Sequence, residues 1–195
     1  MLTIQKDKYT FAQLVNNIEQ MYLGNPVPQN NWYAEAWQFC QATGTKYLTS
    51  PVTITGILSA LSPLKEWEEN KRMVIKFMNG QRNLHFRSVV EKCERILLCS
   101  NPAEIITILS GLKTVNFFKN ICGSYRDVTV DRHVISTATG YEYRISLTIK
   151  QYGIIADAVR QVADKYRVLP RTMQATIWVN YREQFNAKLY EDVPF

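Results

Sequence analysis

The sequence predicts an all-α protein. Apolar residues recur three or four positions apart along most of the chain, which places them on one face of a helix. Three segments begin with a capping residue followed by proline, a frequent start of a helix: Ser50-Pro51, Ser62-Pro63 and Asn101-Pro102. No alternating strand pattern is longer than four residues.

The helical elements can be placed in order from these signals. We expect helices over residues 10–22, 32–40, 52–61, 64–78, 86–98, 103–109, 112–121 and 131–139, then a long amphipathic helix with Tyr152 to Tyr166 as its buried stripe, and a last helix opening at Leu169-Pro170. Glycines mark several ends, with Gly44 closing the second helix and Gly80 following the fourth.

The stretch around residue 110 is the most informative. Ser110-Gly111 interrupts two apolar helical patterns, so it predicts a tight turn between a helix ending near Leu109 and a second one over residues 112–121. Two helices joined by such a turn form a helix-hairpin-helix, and Lys113 lies in the first turn of its second helix.

Asp131 follows a segment that is predicted to be extended. The second hairpin helix is followed by Gly123-Ser124, and the β-branched residues 128–130 then lead to Asp131 at the start of another helix. We expect Asp131 to cap that helix.

Two short motifs surround these residues. Lys113-Thr114-Val115-Asn116 follows the turn, and Val130-Asp131-Arg132-His133 follows the extended segment. Together with the hairpin they resemble the helix-hairpin-helix-Gly/Pro-Asp (HhH-GPD) superfamily of DNA glycosylases, represented by endonuclease III and MutY. The resemblance covers residues 51–182.

The resemblance implies a single HhH-GPD-like unit over residues 1–195, built of two helical lobes with a cleft between them. One lobe would comprise residues 1–48 and 127–195, and the other would comprise residues 49–126 with the hairpin. The acidic residue typical of MutY has no counterpart, and the chain lacks the iron–sulfur cluster ligands of endonuclease III. In these respects it is similar to compact phage-type variants.

The resemblance also implies catalytic roles. Asp131 would stabilise the positive charge that builds on the sugar when an N-glycosidic bond breaks. Lys113 would attack C1′ as a free amine and form a Schiff base, which permits strand cleavage. The alternatives are a solvated or phosphate-contacting Lys113 and a plain N-cap at Asp131.

The remaining site residues concern DNA. The hairpin residues Ser110, Gly111 and Leu112 are expected to bind a backbone phosphate through amides at a helix N-terminus, and Lys119, Arg126 and Arg132 would extend a basic surface. For the base pocket we expect Tyr33, Trp67 and His133, where an aromatic side chain would stack on the extruded base. Leu61 stands where endonuclease III has a glutamine, so it is expected to act as an apolar wedge.

The composition indicates which partners, cofactors and cell compartment suit the protein. The net charge of +6 suits a polyanionic partner, and we expect that partner to be double-stranded DNA. We also expect the protein to be a monomer. Four cysteines are scattered without CxxC spacing, so neither a metal site nor another cofactor is expected. No signal sequence or membrane span is apparent, which favours the cytoplasm, or the host cytoplasm for a phage protein.

Three functions remain open from the sequence. The first is a DNA glycosylase, with or without AP-lyase activity. The second is a phage-type transferase of thymidine hypermodification, which displaces a pyrophosphate from an activated 5-hydroxymethyl group with an amine. The third is a non-catalytic DNA-binding module, which would have no use for both Lys113 and Asp131.

Overall fold

The structure, a computed structural model, describes residues 2–4, 7–99, 101–140 and 147–185. Within them the chain forms ten α-helices and one antiparallel β-hairpin, so the all-α prediction is confirmed. The elements are β1 (Leu2–Ile4), β2 (Asp7–Tyr9), α1 (Phe11–Gly24), α2 (Trp32–Lys46), α3 (Pro51–Leu61), α4 (Trp67–Met78), α5 (Arg87–Leu97), α6 (Pro102–Leu109), α7 (Leu112–Ile121), α8 (Arg132–Thr139), α9 (Ile149–Tyr166) and α10 (Pro170–Phe185).

The chain divides into two compact units. The terminal unit comprises Met1–Trp32 and Ser124–Phe195, and the central unit comprises Tyr33–Gly123. The first boundary therefore lies at the start of α2, whereas the sequence placed it near residue 48. One contact shows why Tyr33 belongs to the central unit: its hydroxyl accepts a hydrogen bond from Nδ2 of Asn120, on α7, at 3.3 Å.

The terminal unit is built of α1, α8, α9 and α10, which pack against one another around an apolar core. Leu14 and Ile18 of α1 and Val159 and Val162 of α9 are fully buried in it. The predicted stripe of α9 therefore faces this core, and α8, whose N-cap is Asp131, packs against α1 and α10.

The central unit is arranged around α3, which contacts α4, α5, α6 and α7. Residues 53–61 of this helix are all buried, and they include the polar residues Thr53, Thr55 and Ser59. A Cβ atom on Gly56 would lie only 2.7 Å from Cγ2 of Ile105 and 2.9 Å from Cγ2 of Ile96. The close approach of α5 and α6 to α3 thus depends on a glycine at this position.

Two predicted helix boundaries are wrong. α4 begins at Trp67 and not at residue 64, because Leu64 has φ 61° and cannot belong to a right-handed helix. α2 continues through Gly44 to Lys46. Gly44 is needed instead for close packing, since a Cβ there would lie 2.6 Å from the carbonyl oxygen of Thr49.

The sequence also did not predict the hairpin of β1 and β2, whose register pairs Leu2 with Tyr9 and Ile4 with Asp7. Its three-residue strands are too short for an alternating pattern to be recognised. Among the described residues, no helix combines the length and the apolar character that crossing a membrane would require.

Candidate functional site

Asp131 is the N-cap of α8, as the sequence predicted. Its Oδ1 accepts hydrogen bonds from the backbone amides of His133 and Val134, both at 3.0 Å, and its Oδ2 accepts one from Nε1 of Trp178, also at 3.0 Å. Three N–H donors therefore fix the carboxylate, while the residue remains half-buried and reaches solvent. A carboxylate held in this way is oriented before any ligand arrives.

The segment that leads to Asp131 is fixed by Tyr152 of α9. The Tyr152 hydroxyl donates to the carbonyl oxygen of Val128 at 2.8 Å and accepts from the amide of Val130 at 2.9 Å. Val128 and Val130 are themselves buried. This one side chain therefore satisfies two backbone groups of an extended segment that pairs with neither described strand, and it sets the position of Asp131.

Aromatic side chains of the terminal unit cluster around Trp178, which contacts the carboxylate. The Trp178 ring lies edge-on to Trp32 at 6.0 Å between centroids, and the guanidinium of Arg182 lies 4.9 Å above its centroid. Sequence reasoning did not assign a role to Trp178. It is 47 positions from Asp131, and no local pattern links the two residues.

His133 belongs to the same cluster. It is 7% exposed, and its ring centroid lies 5.2 Å from that of Tyr181 and 6.1 Å from that of Trp178. The structure therefore brings together Asp131 and His133 of the predicted residues and adds Trp178, Tyr181 and Trp32. A role of His133 in a base pocket stays a prediction.

The hairpin in the central unit has the predicted form. α6 ends at Leu109, and its C-cap residue Ser110 has φ 56°. α7 begins after Gly111 without a side-chain cap. Lys113 is the second residue of α7 and is half-buried. Lys113 belongs to the central unit and Asp131 to the terminal unit.

Two contacts of the hairpin turn were not predicted. Nζ of Lys92, on α5, lies 3.3 Å from Oγ of Ser110 and 3.5 Å from the carbonyl oxygen of Leu109. The Gly111 amide donates to the same carbonyl at 2.7 Å. That amide is therefore engaged inside the turn. Phosphate binding by Ser110, Gly111 and Leu112 stays a prediction.

The other proposed DNA contacts lie on separate elements. Lys119 is a half-buried residue in the last turn of α7. Arg126 is exposed in the loop before Val128, and Arg132 is the first residue of α8. Their role in DNA binding stays a prediction.

The remaining pocket residues lie in the central unit. Leu61 is fully buried, so it offers no side chain for insertion between bases, and we correct the wedge assignment to a core position. Tyr33 is 4% exposed and packs 6.4 Å from Phe117 between ring centroids. Trp67 is half-buried at the start of α4, edge-on to Phe39, with the Lys71 ammonium 5.3 Å above its ring.

Two of the four thiols lie in the interior of the protein. Cys40 and Cys93 are fully buried, and burial raises the pKa of each thiol to about 12. Within the described part of the chain, no group of three or more His, Cys, Asp or Glu side chains could hold a metal ion.

Comparison with known proteins places the chain in a family. Neither the curated proteins nor the solved structures contain a match. A model described as a family of unknown function (DUF7178) matches residues 1–185. Because this match covers nearly the whole chain, the protein belongs to the DUF7178 family.

Proposed function

We propose that this chain is a DNA glycosylase-like enzyme with an HhH-GPD-like fold, acting on an extruded damaged or modified base. The observation that carries the proposal is the half-buried Asp131 carboxylate, which three N–H donors orient at the start of α8. The turn between α6 and α7 supports it, because Lys113 lies in the first turn of the helix that follows, as the resemblance implies.

The proposed role of Asp131 is electrostatic. Breaking the bond between C1′ and the base nitrogen sends the bonding electron pair to the base, which takes up a proton, and leaves positive charge on the sugar. An oriented carboxylate stabilises that charge without having to reorganise during the reaction. A plain N-cap would need only Oδ1, whereas here a separate side chain, Trp178, is bonded to Oδ2.

The proposed role of Lys113 is nucleophilic. Its neutral amine forms a bond to C1′ as the base departs, and loss of the amine protons and opening of the sugar ring give a Schiff base. Removal of a C2′ proton then expels the 3′ phosphate and cleaves the strand. Base release and strand cleavage are separate steps, so the two residues can be tested separately.

Borohydride trapping tests the proposal. The full chain would be incubated with duplexes carrying one damaged pyrimidine, one damaged purine or an abasic site, and sodium borohydride would reduce any Schiff base to a stable amine. We expect a covalent complex with at least one duplex. Lys113→Gln should eliminate this complex, whereas Lys65→Gln, an exposed lysine of the same unit, should not.

Base release is measured beside trapping. Asp131→Asn should abolish release, and Asp164→Asn, which removes an exposed carboxylate from the same unit, should leave it unchanged. Full trapping by Lys113→Gln, or wild-type release by Asp131→Asn, would contradict these roles. If no base is released but an amine is added to a 5-hydroxymethyl pyrimidine activated as its pyrophosphate, mass spectrometry of the nucleosides would identify the transferase instead.

DNA binding is tested by its salt dependence. Each phosphate that the protein neutralises contributes about 0.9 to the negative slope of log K against log salt. We expect Lys119→Gln or Arg126→Gln to lower the slope by about one. The matched control is Lys65→Gln. Unchanged slopes in both variants would place the DNA elsewhere on the protein.

A further inference from the structure

A cavity in the terminal unit has no part in the proposed chemistry. It measures about 270 Å³ and is lined by residues of α1, α8 and α10. The polar residues that line it include Asn17, Gln20, Ser136, Thr137 and Gln184. None of the described residues that line it carries a charge. A cavity of this composition suits a neutral ligand with several hydrogen-bonding groups.

Thr137 points independently to such a ligand. Two other buried threonines of α8 and α10 bond to the carbonyl four residues earlier, Thr139 to Ile135 and Thr176 to Thr172, both at 2.8 Å. Thr137 is 4% exposed, and its hydroxyl has no hydrogen-bond partner among the described residues. An unpaired buried hydroxyl costs stability, so its retention at a cavity wall favours a role in binding.

The lining also restricts the shape of the ligand. Phe185 is 44% exposed and lies 4.8 Å from Tyr181 between ring centroids, so an aromatic surface is available at one end. Nδ2 of Asn17 donates a hydrogen bond to the carbonyl oxygen of Ala138 at 3.0 Å, and this bond fixes the orientation of the Asn17 carboxamide. The cavity is smaller than the roughly 300–1,000 Å³ typical of larger ligands, which suits one ring system without phosphates.

We propose that this cavity binds a neutral nucleobase. Carboxamides pair with the adjacent donors and acceptors on a base edge, and the Phe185 ring stacks on its face. The base could belong to a free nucleoside or to an unstacked nucleotide of a single strand, since the recognised group is the same. The proposal rests on this cavity alone and does not require the chemistry of Asp131 or Lys113.

Nuclear magnetic resonance on the ¹⁵N-labelled full chain tests the proposal. The chain would be titrated with adenosine, guanosine, cytidine and thymidine, with a short single-stranded oligonucleotide of each base, and with inorganic phosphate. We expect saturable shifts of the side-chain amide signals of Asn17, Gln20 and Gln184 with at least one base, and none with phosphate. Tighter binding of the oligonucleotide than of its nucleoside would identify the strand as the source, and the reverse order would identify the free nucleoside.

Two variants locate the binding. Thr137→Val keeps the shape and removes the hydroxyl, and Gln20→Ala removes an exposed carboxamide. Each should weaken binding by roughly tenfold, the loss expected for one good hydrogen bond. Gln161→Ala, an exposed glutamine of the same unit outside the cavity, should have no effect. Thermal melting would verify that each variant folds. The absence of saturable shifts with every nucleoside and oligonucleotide, or shifts that both variants leave unchanged, would overturn the proposal.

Discussion

The indole Nε1 of Trp178 lies 3.0 Å from Oδ2 of Asp131 and donates a hydrogen bond to it. The other oxygen of the carboxylate is bonded to the backbone of α8, so of these three contacts the one from Trp178 is made by a side chain. Trp178 is thus a positioning residue for the proposed reaction, because it acts through Asp131.

Trp178→Phe should lower kcat for base release and leave KM nearly unchanged. A hydrogen bond to a charged group contributes about 1.5–3 kcal/mol, which corresponds to roughly 10- to 100-fold in rate if the contact acts in the transition state. Phenylalanine retains most of the ring, so the contact with Trp32 should persist. Steady-state kinetics on the duplex that gives the strongest trapping would measure both constants.

A purely structural role of Trp178 would give a different result. Melting of Trp178→Phe would then fall while kcat per folded molecule stayed at the wild-type value. As an activity-independent control, Asp131→Ala should accelerate hydrogen exchange of the Trp178 indole N–H, because its acceptor is removed. Unchanged exchange would show that the bond does not persist in solution.

Local features of the site could be predicted from the sequence because they depend on neighbouring residues. The turn at Ser110 and the cap at Asp131 each follow from a few consecutive side chains and their backbone preferences. The contact of Trp178 with Asp131 and the bonds of Tyr152 to the 128–130 segment depend on how α9 and α10 pack, and periodicity does not specify the partners. Motif similarity at Leu61 likewise could not distinguish a surface wedge from a core residue.

The packing around α3 gives a prediction about stability. Gly56→Ala should lower the free energy of unfolding by about 1–3 kcal/mol, because the added methyl would overlap two fully packed isoleucines, Ile96 and Ile105. Gly153→Ala is the matched control. A Cβ there meets nothing within 4 Å in the middle of α9, so this variant should gain about 0.4–1 kcal/mol. Denaturant unfolding measures both, and equal effects would contradict the packing of α5 and α6 on α3.

Glu19 should make the stability of the terminal unit depend on pH. Hydrogen bonds from Lys165 and Tyr166 lower the pKa of its carboxyl group below the usual value. A carboxylate with a lowered pKa in the folded state contributes stability above its unfolded pKa, and this contribution disappears as the pH falls through the folded pKa. Glu19→Gln should therefore melt below the wild type at neutral pH, and the difference should shrink on acidification.

The control for this titration is Glu183→Gln, which neutralises an exposed glutamate of the same unit. It should change the melting temperature little at any pH. The Lys165 ammonium has its pKa raised by the same hydrogen bond, so its contribution is present at neutral pH and lost only in alkaline solution. A Glu19→Gln effect that is constant from acidic to neutral pH would contradict the ion pair.

The last prediction separates the two aromatic residues proposed for the base pocket. Tyr33 is 4% exposed and bonded to Asn120, so Tyr33→Ala should cost about 3–5 kcal/mol of stability, as truncation of a large core side chain does.

Trp67 is half-buried, and its ring contacts Phe39 and Lys71 near the protein surface. If Trp67 stacks on the extruded base, Trp67→Ala should weaken binding of the preferred lesion duplex by roughly tenfold, because stacking contributes about 1–3 kcal/mol per base. The affinity of the Trp67→Ala variant for undamaged duplex should not change, since its contacts with the DNA backbone remain. Melting and both affinities would be measured on the two variants. Equal losses for damaged and undamaged duplex in Trp67→Ala would remove Trp67 from the pocket, and selective loss of lesion binding in a stably folded Tyr33→Ala would return that role to Tyr33.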